Sequence, residues 1–313
     1  MGTRLKSVED TERTSSVTSP GVDTCLQGSR KNANCKAVYA AITMTIFSIS
    51  RLSRALQIAT FPLGLVGLAH ADDPSWKQIL DENFDTPALN PAIWNIETGK
   101  RRDAMNSAAA VDLKDGKLVI TTFTDAAGVT HCGFVTTRRK FHVTQGKAVA
   151  RCRFLVQPGT QVAFWAQSPT YGKSGDPEKA ADDGVEIDIM ETTGLMRGGY
   201  QYALHWGPYN TPAKRSSSKK FPESVGDQWH EYGVEWDETG YRFTLDGKLV
   251  ATDTKCPGSK VPEFLLLTSE SNIKSWNGER PAPGYGSKTE STNWFEIDWV
   301  KAWERVPTKS PAK

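Results

Sequence analysis

The chain has 313 residues, of which 38% are hydrophobic and 24% charged, a mix that excludes disordered, collagen-like and multi-span membrane proteins. A formal net charge of +2, with no Lys/Arg stripe interleaved with aromatics, excludes a nucleic-acid footprint. Five cysteines are too few for a disulfide-built scaffold. The length suits one large all-β or α/β domain, or two small ones.

Residues 1–43 are rich in Ser, Thr, Asn and charge without apolar periodicity, and read as a disordered extension or an over-extended gene start. Residues 44–71 have the three-part layout of a secretory signal. Arg51 and Arg54 supply positive charge, and Ala59, Phe61, Leu63, Leu65, Val66 and Leu68 form an apolar run. Ala69-His70-Ala71 offers the small residues a signal peptidase reads. The run is broken by Pro62 and falls short of the ~20 residues a membrane span needs. The expectation is a secreted protein, extracellular or periplasmic, with no membrane contact after cleavage. One domain then occupies 72–305, followed by a tail at 306–313. That domain keeps Cys132, Cys152 and Cys256, which allow at most one intrachain disulfide of open pairing.

Beyond the leader the pattern is strand after strand. Leu118–Phe123 is short and β-branched, and Asp115-Gly116 before it is a hairpin signal. His230, Tyr232, Val234 and Trp236 alternate with more polar residues, as do Tyr241, Phe243 and Leu245. Asp246-Gly247 closes another hairpin, and Phe295, Ile297 and Trp299 alternate in the last strand. Period two means one face buried and one wet. No segment sustains a 3.6-residue period, and there is no βαβ rhythm. The predicted class is all-β: an antiparallel two-sheet sandwich or jelly roll. Turn-rich loops fall at 168–183, 207–228 and 274–293.

The stretch Gly184-Val185-Glu186-Ile187-Asp188-Ile189-Met190-Glu191 carries the chemistry. Glu186 and Asp188 share a strand face. Strict alternation would turn Glu191 into the core, where an unpaired carboxylate costs several kcal/mol. A β-bulge at Ile189-Met190 removes the conflict by re-aiming Glu191 onto the face of the other two acids. Crowded carboxylates cannot all ionise at neutral pH. Glycoside hydrolysis needs that split, with one ionised nucleophile and one protonated general acid. Glu296-Ile297-Asp298-Trp299-Val300-Lys301 repeats the first half of the pattern but ends in Lys, so Glu-x-Asp alone is weak evidence.

The order of motifs resembles glycoside hydrolase family 16, the β-jelly-roll endo-glycanases of concanavalin A-like fold. Glu82-Asn83-Phe84-Asp85 with Trp94 looks like the opening strand, and Gly133–Thr137 with Gly146–Arg151 like the central hairpin. Ala163-Phe164-Trp165-Ala166-Gln167 is similar to the strand before the acidic one. His230–Trp236 followed by Tyr241–Gly247 is a specific match, and Phe295–Val300 looks like the closing strand. The resemblance implies Glu186 as nucleophile, Glu191 as acid/base and Asp188 as the assisting acid of a retaining mechanism. It implies Trp165 and Trp206 as sugar platforms, with His205 bonding substrate or an acid. Trp276, in a turn-rich loop, is a further platform candidate.

Trp229, Trp236, Trp299 and Trp303 read as core, and Arg101 and Arg102 as a solvated pair. Arginines facing the cleft would instead favour an anionic galactan. No cofactor is required, although the family pattern matches a structural calcium at Gly116 and Asp298. The expected partner is a polysaccharide, and the expected state a monomer. β-1,3-Glucan is the first choice of substrate. A galactan of the agarase or carrageenase type, a lectin and a transglycosylase on the same fold are the alternatives.

Overall fold

In a computed structural model the chain is described from residue 75 to residue 306. The expected extension at 1–43 and signal at 44–71 lie outside the described residues, as do 72–74 and most of the tail.

Two antiparallel sheets face each other. The seven-stranded sheet runs Arg215–Phe221, Tyr200–Trp206, Glu186–Thr193, Thr160–Gln167, Phe264–Ser271, Phe134–Thr136 and Asn95–Ile96 from edge to edge. The eight-stranded sheet runs Lys248–Asp253, Gly240–Leu245, His230–Asp237, Gly146–Leu155, Trp294–Arg305, Leu118–Thr121 and Val111–Leu113. Trp76–Glu82 also pairs with Trp294–Arg305. This is the all-β jelly-roll sandwich that the alternating patterns predict. Both hairpin signals form as read. Asp115 and Gly116, like Asp246 and Gly247, have positive φ at both central residues, the geometry a two-residue turn of matching twist requires.

The core lies between the sheets. Val162, Phe164, Ile187, Met190, Tyr202, Leu204, Leu265 and Leu267 come from the first sheet. Ile120, Ala148, Cys152, Phe154, Tyr232, Val234, Trp236, Phe243 and Ile297 come from the second. Tyr202 stacks on Phe243 with ring centroids 4.0 Å apart. Cys132, Cys152 and Cys256 are all free and buried, so none of the pairings left open by the sequence forms.

Two bulges control which side chains face which way. The first falls where the acids require it. Phe164 pairs with Met190 and Trp165 with Asp188, which leaves Ile189 as the extra residue. The second overturns part of the core reading. Arg151 pairs with Trp299 but Cys152 with Ile297, which leaves Asp298 unpaired and inverts the alternation beyond it. Val300 and Ala302 therefore join the core, while Trp299 and Trp303 stand half-buried on the opposite face. Of the four tryptophans expected inside, Trp236 alone is a core residue. The others are covered by cations, with Lys301 5.0 Å from the Trp299 ring centre, Lys147 4.9 Å from Trp303 and Arg153 4.8 Å from Trp229.

Candidate active site

The site is built on the seven-stranded sheet, on the face turned away from the core. Cross-strand partners share a face, so the register identifies the floor. Glu186 pairs with Gln167 and His205, Asp188 with Trp165 and Ala203, and Glu191 with Ala163 and Gln201. The bulge at Ile189 allows the third acid to join this set. Ligand atoms of Glu186, Asp188 and His205 lie within 4.8 Å of one another.

Each acid has its own partners. Glu186 accepts from Gln167 Nε2 at 2.9 Å and from the Tyr209 hydroxyl, both at Oε2. Glu191 accepts from Gln201 Nε2 at 2.7 Å and more weakly from Gln161 Nε2 at 3.4 Å. Asp188 has the His205 imidazole for a neighbour, with Nε2 3.5 Å from Oδ2. Burial pushes Glu186 up to about 7, with repulsion from Glu191 and Glu270 adding to it and Lys214 and Gln167 opposing it. Burial also raises Asp188 well above the usual carboxylate range, and both glutamates repel its charge. Glu191 is raised by burial, against the pull of the Gln201 hydrogen bond. Asp188 has the weakest set of donors, and burial with the two glutamates favours its protonated form. Burial, with Lys214 nearby, pushes His205 down to about 4. A neutral imidazole is consistent with a protonated Asp188 beside it, and its Nδ1 is buried without a partner.

The remaining expected residues divide. Trp165 lies on the triad face but is only 7% exposed, clustered with Phe134, Phe264 and Leu266. Its indole Nε1 donates to Thr268 Oγ1 at 2.9 Å, so it forms floor rather than an open platform. Trp206 is on the other face. It follows His205 by one residue, alternation turns it inward, and it packs in the core; it is not available to a sugar. Trp276 is 51% exposed, in the turn between Lys274–Ser275 and Gly278–Glu279.

Arg101 and Arg102 are partly solvated, as expected, but both also pair with Glu270. Arg101 donates to Glu270 Oε1 at 2.8 Å and 2.5 Å and lies 5.3 Å from the Phe134 ring centre. Arg102 donates to Glu270 Oε2 at 3.2 Å and is 60% exposed. Glu270 and Phe134 belong to the triad face by register, so these arginines pair with an acid of that face.

Of the expected calcium pair, the Asp298 carboxylate is held by the Arg151 guanidinium, while the Asp85 carboxylate lies beside Gly116. A carboxylate already neutralised by a guanidinium is a poor anchor for a divalent cation that wants several oxygens.

Sequence reasoning missed Gln161, Gln167 and Gln201, although parity with Trp165 and with the acids could have found them. It also missed Tyr209, Tyr171, Lys214 and Glu270. Tyr209 and Lys214 sit in a loop without periodicity and carry no local signal.

The comparisons with known proteins agree with this geometry. The family description Glycosyl hydrolases family 16 matches residues 98–301. Glucan endo-1,3-beta-glucosidase A1 of Niallia circulans is 27% identical over 203 residues, 54% of this chain and 28% of that protein. A beta-glucanase of Fibrobacter succinogenes is 30% identical over 169 residues, 53% of this chain and 45% of that protein. The chain thus spans less than half the length of either relative. The laminarinase catalytic domain of Thermotoga petrophila superposes with a TM-score of 0.58 at 24% identity, over 74% of this chain and 99% of that one. Porphyranase B of Zobellia galactanivorans superposes with a TM-score of 0.60 at 23% identity, over 74% and 94%. At such identities these structures speak for the fold alone. With the family pattern matched across most of the described sandwich, the chain belongs to glycoside hydrolase family 16.

Proposed function

We propose that the protein is a secreted, endo-acting glycoside hydrolase that cleaves a β-linked polysaccharide with retention, β-1,3-glucan being the first choice. The observation that carries this reading is the bulge at Ile189, which brings Glu191 onto the face of Glu186 and Asp188. Glu191 protonates the leaving glycosidic oxygen as a Glu186 oxygen attacks the anomeric carbon. The bond to the leaving oxygen breaks as the bond to Glu186 forms. Glu191 then takes a proton from water, which attacks the same carbon and frees Glu186. Asp188, protonated in its buried setting, steadies the charge on Glu186. His205 orients Asp188, and the exposed Trp276 offers a stacking ring. The glucan-directed names of the two sequence relatives support the substrate choice.

A second reading has its own support. Arg101 and Arg102 both pair with Glu270 on the triad face, and two guanidinium groups against one carboxylate favour an anionic galactan. A reducing-sugar screen on laminarin, lichenan, agarose, porphyran and carrageenans tests both readings, with Glu186→Gln as the blank. Release from laminarin that vanishes in the blank supports the first. Release from porphyran or carrageenan alone supports the second. No release from any polymer, with binding retained, points to a lectin.

A further inference from the structure

We propose that Tyr209 is a positioning residue for Glu186: its hydroxyl anchors one oxygen of the nucleophile and leaves the other free for the anomeric carbon. The inference rests on the glycosidase reading above and goes beyond it, because Tyr209 comes from a loop that the acidic motif does not reach.

The hydrogen bonds close a triangle. Gln167 Nε2 lies 2.9 Å from Glu186 Oε2 and 2.7 Å from the Tyr209 hydroxyl, which itself contacts the same Oε2. An amide nitrogen only donates, so the phenol oxygen accepts from Gln167 and its own proton goes to Glu186. Both donors therefore converge on Oε2. Neither donor bonds Oε1, and His205 Nε2 lies 3.9 Å from it. A carboxylate pinned through one oxygen cannot rotate, and the other oxygen is presented for attack. Once the glycosyl ester forms through Oε1, Oε2 becomes its carbonyl oxygen. The same two donors then polarise that carbonyl and ease departure of Glu186 when water attacks.

The loop is built to hold this pose. The Tyr209 and Tyr171 rings stack with centroids 4.4 Å apart and planes 23° apart. The Lys214 ammonium lies 5.1 Å from the Tyr209 ring centre. Gly172 packs so closely on Pro208 that a Cβ would come within 2.9 Å of its Cα. Thr211 Oγ1 donates to Pro208 O at 3.0 Å and accepts from Ala213 N at 3.2 Å. Tyr209 is 39% exposed, yet its polar end is turned inward onto a half-buried acid. An exposed tyrosine with no task would leave its hydroxyl in water.

Electrostatics favour the same role. Glu191 on its own strand and Glu270 on the Phe264–Ser271 strand work against a charge on Glu186. Tyr171 faces it with a buried hydroxyl that has no partner, and the adjacent His205 is neutral. The groups that favour the charge are Lys214, Gln167 and Tyr209.

The test is Tyr209→Phe, which keeps the ring stack and removes only the hydroxyl. In the full-length protein the acid limb of kcat/KM moves up by about one pH unit. Turnover below that limb falls roughly 10-fold, and KM stays within about 2-fold. The loss persists on an aryl glycoside with an activated leaving group, because the step affected is attack rather than proton donation by Glu191. A 13C NMR titration of the Glu186 carboxyl, assigned by its absence in Glu186→Gln, reads the same shift without substrate. An unchanged titration, with the loss confined to KM, overturns the proposal and makes Tyr209 a wall of the sugar site. If the wild type cleaves no glycan while the titration still shifts, the glycosidase reading fails and the anchoring of Glu186 stands.

Discussion

Among single residues, the sharing of protons between crowded acids sets the chemistry. Glu191→Gln removes the proton donor and is expected to lower turnover by ~10²–10⁴ on polysaccharide, with much of the loss recovered on aryl glycosides whose leaving groups need no proton. Steady-state kinetics on the two substrate types check this. Glu186 must be ionised to attack and is pushed up to about 7 in the free site, so kcat/KM falls as pH drops below about 7. Lys214 opposes that rise; Lys214→Met therefore moves the acid limb to higher pH.

Glu263 makes a separate prediction about stability. It is fully buried, bonded to Ser259 Oγ at 2.5 Å and to Val185 N at 3.1 Å, and burial pushes it up to about 8. The folded state keeps a proton that the unfolded chain releases above its ordinary value near 4.5. Stability is therefore full below that value, declines as pH rises towards about 8, and levels off beyond. Glu186 acts in the same direction. Glu263→Gln is expected to flatten the decline of Tm with pH, as thermal melts between pH 5 and 8 would read. The triad was legible because Glu191 breaks the alternation set by Glu186 and Asp188, and only a bulge resolves that conflict. Tyr209 was not, because its reach depends on a loop whose course is set by packing on Tyr171 and Pro208.

Bulges decide function at the scale of secondary-structure elements. The extra residue at Ile189 lets Glu191, three residues after Asp188, share its face, which strict alternation would forbid. The bulge at Asp298 shows where pattern reading fails. Phe295, Ile297 and Trp299 alternate faithfully, yet the extra residue sends Trp299 outward. Strict alternation would also turn Lys301 into the core, the same signal that Glu191 gives, but the hydrophobic positions alone do not carry it, and Trp299 roofed by Lys301 is acceptable outside. The same limit applies to Trp206. Its place beside His205 suggested the cleft, while simple alternation puts it with Leu204 in the core.

For the whole molecule, the sandwich supplies a rigid sheet whose outward face is left for chemistry. Its strands were legible from period-two patterns and Asp-Gly turns. The flanking arginines were not, because Arg101 and Arg102 reach the triad face only through Glu270, a partner far away in sequence. Their position bears on specificity: Arg102→Ala should weaken cleavage of an anionic polymer by roughly 5-fold and leave a neutral glucan within about 2-fold, since an exposed charge contact contributes about 1 kcal/mol. The fold is shared by proteins of different substrate, so the cleft and its acids must carry the claim.

The most direct measurement is 1H NMR of the first anomer released from laminarin, followed before mutarotation. Attack by Glu186 with Glu191 as acid/base predicts the β-anomer first, and no product from Glu186→Gln. Release of the α-anomer first, or equal turnover by Glu186→Gln, would contradict the account.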